Sequence, residues 1–321
     1  MSILVTGAGG MVGSHMVEKF YNEGIEVVGT YYKPTVNIKE LNPAINMIET
    51  DIRYPDNIEK VIMNYLPEKI FHLAAQSYPT VSWEKPYETI DINVNGTIAV
   101  YEAIKKVRRF KPDYNPMVVV ACSSAEYGAS LEKYGDEKVP ESAELLPLHP
   151  YGVSKVGQDL ISYQYFKNDG IRCIRARIFN STGPRKVNDV TSDFTKRAIE
   201  LEKSGSGKWE LKVGNVETYR AIMDVRDLIE ALILLSDKGT AGDVYNISSE
   251  TVYQIKDVIR TIEEDMNIKF NLAVDKKLLR PTDEKIIVGD VTKLKKATGW
   301  KQNIPFKKTV HDMLEYWRKT L

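Results

Sequence analysis

Cysteine is scarce: the 321 residues hold two, Cys122 and Cys173. Both fall in apolar runs that read as strands, with no CxxC and no Cys/His spacing of the kind zinc needs. They read as buried, reduced thiols of a cytoplasmic protein, which excludes a disulfide framework. Histidine is sparse as well. His15, His72, His149 and His311 stand apart without ligand spacing, so no metal is expected. Net charge is missing too, since 44 Lys and Arg balance 44 Asp and Glu. Without a basic excess there is no general pull toward nucleic acid or an anionic membrane, and neither partner is expected. A local basic pocket stays open. There is no basic start followed by a long apolar stretch, and no apolar run near the ~18 residues of a spanning helix. The expectation is a soluble, cytoplasmic chain.

What is present suits a globular enzyme. Apolar residues make up 43% and charged residues 27%, enough for a sizeable core. The length suggests two lobes, or one large domain with an appendage. Short apolar runs alternate with amphipathic stretches. ILVT (Ile3–Thr6) reads as a strand, and Met11–Glu23 as a helix with Val12, Met16 and Phe20 on one face, ended by Gly24. Strand IEVVGT, helix 58–65, strand KIFHLA, helix 93–106, strand MVVVAC, helix 151–166 and strand IRCIRARI follow. This repetition predicts right-handed crossovers and a parallel sheet, and nearly all-apolar runs such as MVVVAC suit strands buried on both faces. Helices at 192–203, 225–236, 255–264 and 306–319 and a strand at DVYNIS complete the reading. The fold class expected is α/β, a Rossmann-type doubly wound parallel sheet with a smaller, discontinuous C-terminal α/β lobe. The domains expected are 1–182 plus about 222–250 for the dinucleotide, and about 183–221 with 251–321 for the substrate.

TGAGGMVG places Gly7, Gly10 and Gly13 between the first strand and the first helix. A tight turn there lets backbone N–H groups approach a pyrophosphate at a helix N-terminus, where a side chain would block them. Met11 and Val12 open that helix and join the expected cofactor contacts. After the second strand the chain reads GTYYKPT. It lacks the acidic residue that bonds ribose hydroxyls in NAD sites, and Lys33 is available for a 2′-phosphate. NADP is therefore expected, with NAD the alternative.

Tyr151 and Lys155 are four residues apart on one predicted helix face. Ordinary tyrosine titrates near ~10, and a neighbouring ammonium favours the phenolate. Tyr151 can then exchange a proton with a sugar hydroxyl while hydride moves at the same carbon. Ser123, at the end of a buried strand, can bond the reacting oxygen.

In order along the chain stand TGAGGMVG, DI at 51–52, HLAAQS at 72–77, NVNGT at 93–97, SSAEYG, YGVSK, FNSTGP at 179–184, VGN at 213–215, DVRD at 224–227, and RPTDEKIIVGD followed by LKKATGW. Together these resemble the extended short-chain dehydrogenase/reductases of the nucleotide-sugar epimerase, dehydratase and reductase group. The GDP-mannose branch is the most similar, with its 4,6-dehydratases and GDP-4-dehydro-6-deoxy-D-mannose reductases. The resemblance implies a catalytic set of Ser123, Tyr151 and Lys155. It implies cofactor contacts at Asp51 and Ile52 beside the adenine, and at Leu73, Ala74, Ala75, Asn93 and Ile178. For a nucleotide-sugar substrate, GDP-linked, it implies Gln76, Ser124, Ala125, Glu126, Arg185 and Thr191, with Asn180 at the sugar diphosphate and Arg220 and Arg280 at the nucleotide end. It further implies a homodimer through the helices at 93–106 and 151–166. One departure is Arg220-Ala-Ile, where the group has an aromatic soon after the arginine.

Dehydratases of this group carry a glutamate two positions before the Tyr-Gly of this loop. Here that position is Ala125, which can neither take nor give a proton. The expected reaction is hydride exchange at the sugar 4-position without elimination of water. A 4-epimerase or dehydratase with tightly held NAD(P), and a non-catalytic dinucleotide-binding regulator, are the alternatives.

Overall fold

The structure, a computed structural model, describes residues 2–275 and 288–321. Seven parallel strands form its main sheet: β1 (Ser2–Thr6), β2 (Glu26–Tyr31), β3 (Asn46–Glu49), β4 (Lys69–His72), β5 (Met117–Ser123), β6 (Cys173–Ile178) and β7 (Val244–Ile247). Their order is β7-β6-β5-β4-β1-β2-β3. The chain runs outward from β1 through β2 and β3, then restarts at β4 on the other side. Ligands of such sheets bind at that reversal, outside the carboxyl ends of the strands.

The strands alternate between two cores. Ile3, Val5 and Val119 face the helices α1 (Met11–Asn22) and α6 (Val225–Lys238) through Phe20, Leu228 and Leu232. Leu4, Val118 and Val120 face α2 (Pro55–Tyr65), α3 (Gly96–Arg108) and α4 (Pro150–Asp169) through Ile58, Tyr101 and Tyr165. This two-sided burial explains the unbroken apolar runs of the central strands. Strand β3 gave no such signal, because it is an edge strand with no fully buried residue.

A third core joins α5 (Val190–Ser204), α7 (Ile255–Met266) and α9 (Phe306–Thr320), the last preceded by the short α8 (Thr292–Thr298). Phe194, Ile259, Val310 and Trp317 pack there with Leu211 and Val213 of the strand Glu210–Val213, which pairs in parallel with the largely exposed Asn271–Val274. The chain leaves the sheet through Ser181–Thr182 and returns through Met223–Asp224, and these two short segments pair in parallel.

Register sets the working edge. His72 lies opposite Val120, so β5 continues three residues beyond β4 and ends at Ser123, beside Ile178. Both cysteines are buried and free.

Candidate active site

The glycine turn is shaped by contacts that no side chain could share. Gly7 has φ +72°, and a Cβ on it would sit 2.7 Å from the Ala74 nitrogen. A Cβ on Gly13 would lie 2.4 Å from the Gly7 carbonyl oxygen. At Gly10 the closest atom to such a Cβ is that same oxygen at 3.4 Å, so its other side is open. Gly10 is also the N-cap of α1, with no side chain capping the helix. The first N–H groups, from Met11 and Val12 onward, and the positive end of the helix dipole therefore suit a pyrophosphate.

Beyond β2, Lys33 is exposed with φ 44°, its Nζ 5.2 Å from the centre of the Tyr32 ring. Arg53, which sequence reasoning passed over, lies 5.6 Å from the same ring. It also clasps Asp51, donating from Nε at 3.0 and 3.1 Å and from Nη2 at 2.6 Å. Burial pushes the Asp51 carboxyl up, but hydrogen bonds from Arg53 outweigh this and hold it below the usual range. Both oxygens of Asp51 are thus committed to Arg53. Ile52 is buried, wedged so close to Gly96 that a Cβ there would be 2.5 Å from its Cδ1. The signal for Arg53 was its place directly after the Asp-Ile pair.

The loop after β4 is pinned from below. Leu73 and Ala74 donate their N–H groups to Thr6 Oγ1, each at 3.2 Å. Ala75 follows, half-buried. Asn93 accepts from the Gln76 N–H at 2.8 Å and donates Nδ2 to the Gln76 carbonyl at 3.0 Å and to Ser154 Oγ at 2.8 Å. It sits in a π-helical turn, Asp91–Asn95, fully buried. Its side chain therefore fastens the loop to α4 instead of lining the crevice. Gln76 is a correction as well: its amide donates to the Tyr78 carbonyl and to Thr89 Oγ1, folding onto its own loop.

Ser123 and Tyr151 meet at the sheet edge. α4 begins with His149 as N-cap, accepting from the Gly152 N–H at 3.0 Å, and Pro150 supplies the first helical residue. The Tyr151 phenol is hydrogen-bonded to the Ser123 side chain, yet burial pushes it up to about 12. Lys155 Nζ lies 5.7 Å from the Tyr151 ring centre and donates to the Ala121 carbonyl at 2.8 Å and to Gln158 Oε1 at 2.7 Å. Burial pulls the ammonium down to about 8. Burial outweighs the lowering expected of the ammonium: it dominates both groups, and the lysine is bonded to carbonyl oxygens.

The Ser-Ser-Ala-Glu segment turns as a 3₁₀ helix over Ser124–Glu126. Ser124 and Ala125 are half-buried, while Glu126 is wholly buried. The Glu126 carboxylate accepts from the Ser123 N–H at 2.8 Å and from Arg177 Nε at 3.1 Å. Arg177 also donates Nε to Asp159 at 2.9 Å, and Arg175 donates Nη1 to Asp159 at 2.6 Å. Burial, with Asp159 close by, raises Glu126 above the usual carboxylate range. Glu126 is thus withdrawn from the substrate contacts: it braces the turn from beneath. Cys122, Glu126 and Asp159 bring their ligand atoms within 4.8 Å of one another, but the two guanidiniums already neutralise that set.

Ile178 ends β6 beside Ser123, and Asn180 just beyond it is exposed, its carbonyl accepting from the Met223 N–H. Arg185 is corrected: it grips Glu18 of α1 with two bonds of 2.6 and 3.0 Å. Thr191 is buried in the first turn of α5. Arg220 is half-buried on a short strand paired with Tyr253–Gln254, donating to the Tyr219 carbonyl. Arg280 lies outside the described residues.

The profile of the GDP-mannose 4,6 dehydratase family matches residues 4–313. The chain is 27% identical to the GDP-6-deoxy-D-mannose reductase of Pseudomonas aeruginosa, across 98% of this chain and 96% of that one. It is also 27% identical to GDP-mannose 4,6 dehydratase 1 of Arabidopsis thaliana, across 97% and 88%. Among solved structures, RMD from Pseudomonas aeruginosa complexed with NADPH superposes with a TM-score of 0.81 over the whole of both chains, at 24% identity. A glycine turn at the reversal of a parallel sheet, with serine, tyrosine and lysine gathered at the strand ends above it, fits these relatives: the chain belongs to the GDP-mannose 4,6 dehydratase family and is an NAD(P)-dependent nucleotide-sugar enzyme of the extended short-chain dehydrogenase/reductase type.

Proposed function

We propose that the protein is a 4-ketosugar reductase acting on a GDP-linked 6-deoxyhexose, with NADPH as hydride donor. The observation that carries this reading is the pairing of Ser123, Tyr151 and Lys155 with Ala125 and a buried Glu126. The site has a proton donor for the 4-position but offers no carboxylate at the loop position where the family's dehydratases carry one. The Pseudomonas relative named as a reductase supports it. NADP is supported by Lys33 and Arg53 gathered at Tyr32 and by the lack of an acid after β2. Asp51, held by Arg53, remains within that end of the site.

When bound, the nicotinamide supplies the hydride. The protein's own residues manage the proton. Ser123 Oγ holds the ketone oxygen, and Tyr151 donates its phenolic proton as the alkoxide forms. Lys155, as an ammonium, stabilises the phenolate left behind. Residues 1–182 with about 222–250 carry the cofactor, and about 183–221 with 251–321 carry the nucleotide sugar; the separate third core supports this division, except that Val291, Leu294 and Trp300 pack in the first core with the main sheet. A cytoplasmic homodimer is supported by the buried free thiols and by the half-exposed Val153 and Leu160 on α4.

The test is to mix the purified protein with NADPH and a GDP-4-keto-6-deoxyhexose and follow the absorbance of the reduced nicotinamide. Oxidation is expected, and Tyr151→Phe should lower its rate by ~10²–10⁴-fold with an unchanged thermal melt. Formation of a keto-sugar from GDP-mannose without added cofactor would establish a dehydratase instead. Silence with every sugar would point to a regulator.

A further inference from the structure

A chain of side chains runs beneath the site from β1 to α4: Thr6, His72, Thr97, Gln158 and Lys155. None is more than 3% exposed. The direction of every hydrogen bond in it follows from one proton. Thr97 Oγ1 donates to the Asn93 carbonyl at 2.6 Å, and a hydroxyl has only that one proton to give. Thr97 Oγ1 must therefore accept from both other neighbours, Gln158 Nε2 at 2.9 Å and His72 Nε2 at 3.0 Å. His72 then carries its proton on Nε2, and its Nδ1 accepts the Thr6 hydroxyl proton at 2.9 Å. Thr6 in turn accepts from the Leu73 and Ala74 N–H groups. Since the Gln158 amide spends its NH₂ on Thr97, only its oxygen can face Lys155, at 2.7 Å. A flipped amide would set NH₂ against an ammonium and a carbonyl against a hydroxyl with no proton left.

We infer that Gln158 is a positioning residue for Lys155: its carbonyl holds the ammonium, and Thr97 and His72 fix which end of the amide does so. The ammonium has three donors. Among the described residues two are committed, to the Ala121 carbonyl and to Gln158, which leaves one for the reacting side. The titratable groups facing Lys155 supply little competing charge. Tyr151 lies on its own helix, with Cys122 on β5, Glu126 in the turn and His72 on β4. Glu126 is already held by Arg177. His72 is driven down to about 3 by burial and by Lys155 itself, so it stays neutral. Burial pushes the Cys122 thiol well up. With both contacts to Nζ being neutral carbonyls, losing one makes a protonated lysine harder to keep.

This inference rests on the reductase reading for its kinetic arm but not for its titration arm. Isotope-edited NMR of lysine-labelled protein follows the ionisation of Lys155, its signal assigned by its loss in Lys155→Arg. In Gln158→Leu the titration should move down by about one pH unit, and in Gln158→Glu it should move up, because a carboxylate favours the ammonium. Under the reductase assay Gln158→Leu should lose about twofold in kcat at pH 7, where a Lys155 titrating at about 7 instead of about 8 is only half protonated, and the loss should approach tenfold above pH ~9, with KM within about twofold. If Gln158→Leu does not fold, the upward shift in Gln158→Glu decides alone. Unchanged titration in the folded variants would overturn the inference. A wild-type protein that oxidises no NADPH would sink the reductase reading while the titration still decides the role of Gln158.

Discussion

Gln158 and Asp159 are adjacent on one helix, yet they anchor polar clusters of opposite kind. Gln158 belongs to the neutral chain of Thr6, His72 and Thr97, whose only charge is Lys155 at its end. Asp159 belongs to an ionic knot with Arg175, Arg177 and Glu126, extended by Tyr127, which accepts from Arg177 and donates to Asn246. Both are buried, but they fail differently. A broken neutral chain loses hydrogen bonds, whereas a broken ionic knot strands a charge in low dielectric. The division has a chemical sense. A carboxylate bonded to Lys155 would bind its proton more firmly; here Glu126 and Asp159 are tied to arginines, and the contacts of Nζ are the carbonyl oxygens of Ala121 and Gln158.

The largest effect expected tests the ionic side. Arg177→Ala leaves Glu126 and Asp159 short of a partner and should destabilise the fold by ~3–5 kcal/mol in urea unfolding. Next comes the neutral side. Thr97→Val leaves buried donors on Gln158 and His72 without an acceptor and should cost about 1–3 kcal/mol, with Thr97→Ser restoring most of it. A loss after Thr97→Val as large as that after Arg177→Ala would erase the distinction. The smallest effect is a slope. Burial first, then the charge of Lys155, lowers His72 from 6.5 to about 3. Between those values the unfolded chain binds a proton that the native one does not. Stability should therefore be full above pH ~6.5 and fall as pH drops, by up to about 1.4 kcal/mol per unit for this group. His72→Gln should flatten that slope in denaturation measured at stepped pH.

Much of this architecture was legible in the sequence. The glycine turn declared itself because steric demand at Gly7 and Gly13 leaves no other residue usable there, and the central strands declared themselves through two-sided burial. The tyrosine–lysine spacing placed both residues on one helix face before any coordinate. What stayed hidden depends on partners far apart in sequence. Arg185 looked available until Glu18, 167 positions earlier, turned out to hold it. Glu126 was placed among the substrate contacts through the resemblance, and residue spacing alone does not foretell the tight 3₁₀ turn that buries it. Gln158 did leave a trace, three residues after Lys155 on the same helix face, but its orientation is dictated by Thr97, 61 positions away. Asn93 was expected to line the cofactor, whereas its task of fastening the loop after β4 emerged only with the π-helical turn.

The short parallel stitch between Ser181–Thr182 and Met223–Asp224 has a consequence for how such a scaffold can change. The chain departs and re-enters at neighbouring points, so everything between is a closed excursion. Entropy of closing a loop grows only with the logarithm of its length. Insertions, deletions and wholesale rewriting of that excursion can thus accumulate while the strand ends that bear the chemistry keep their places. On the division of lobes proposed above, a lineage built on this plan is free to alter what it grasps without reinventing how it reacts.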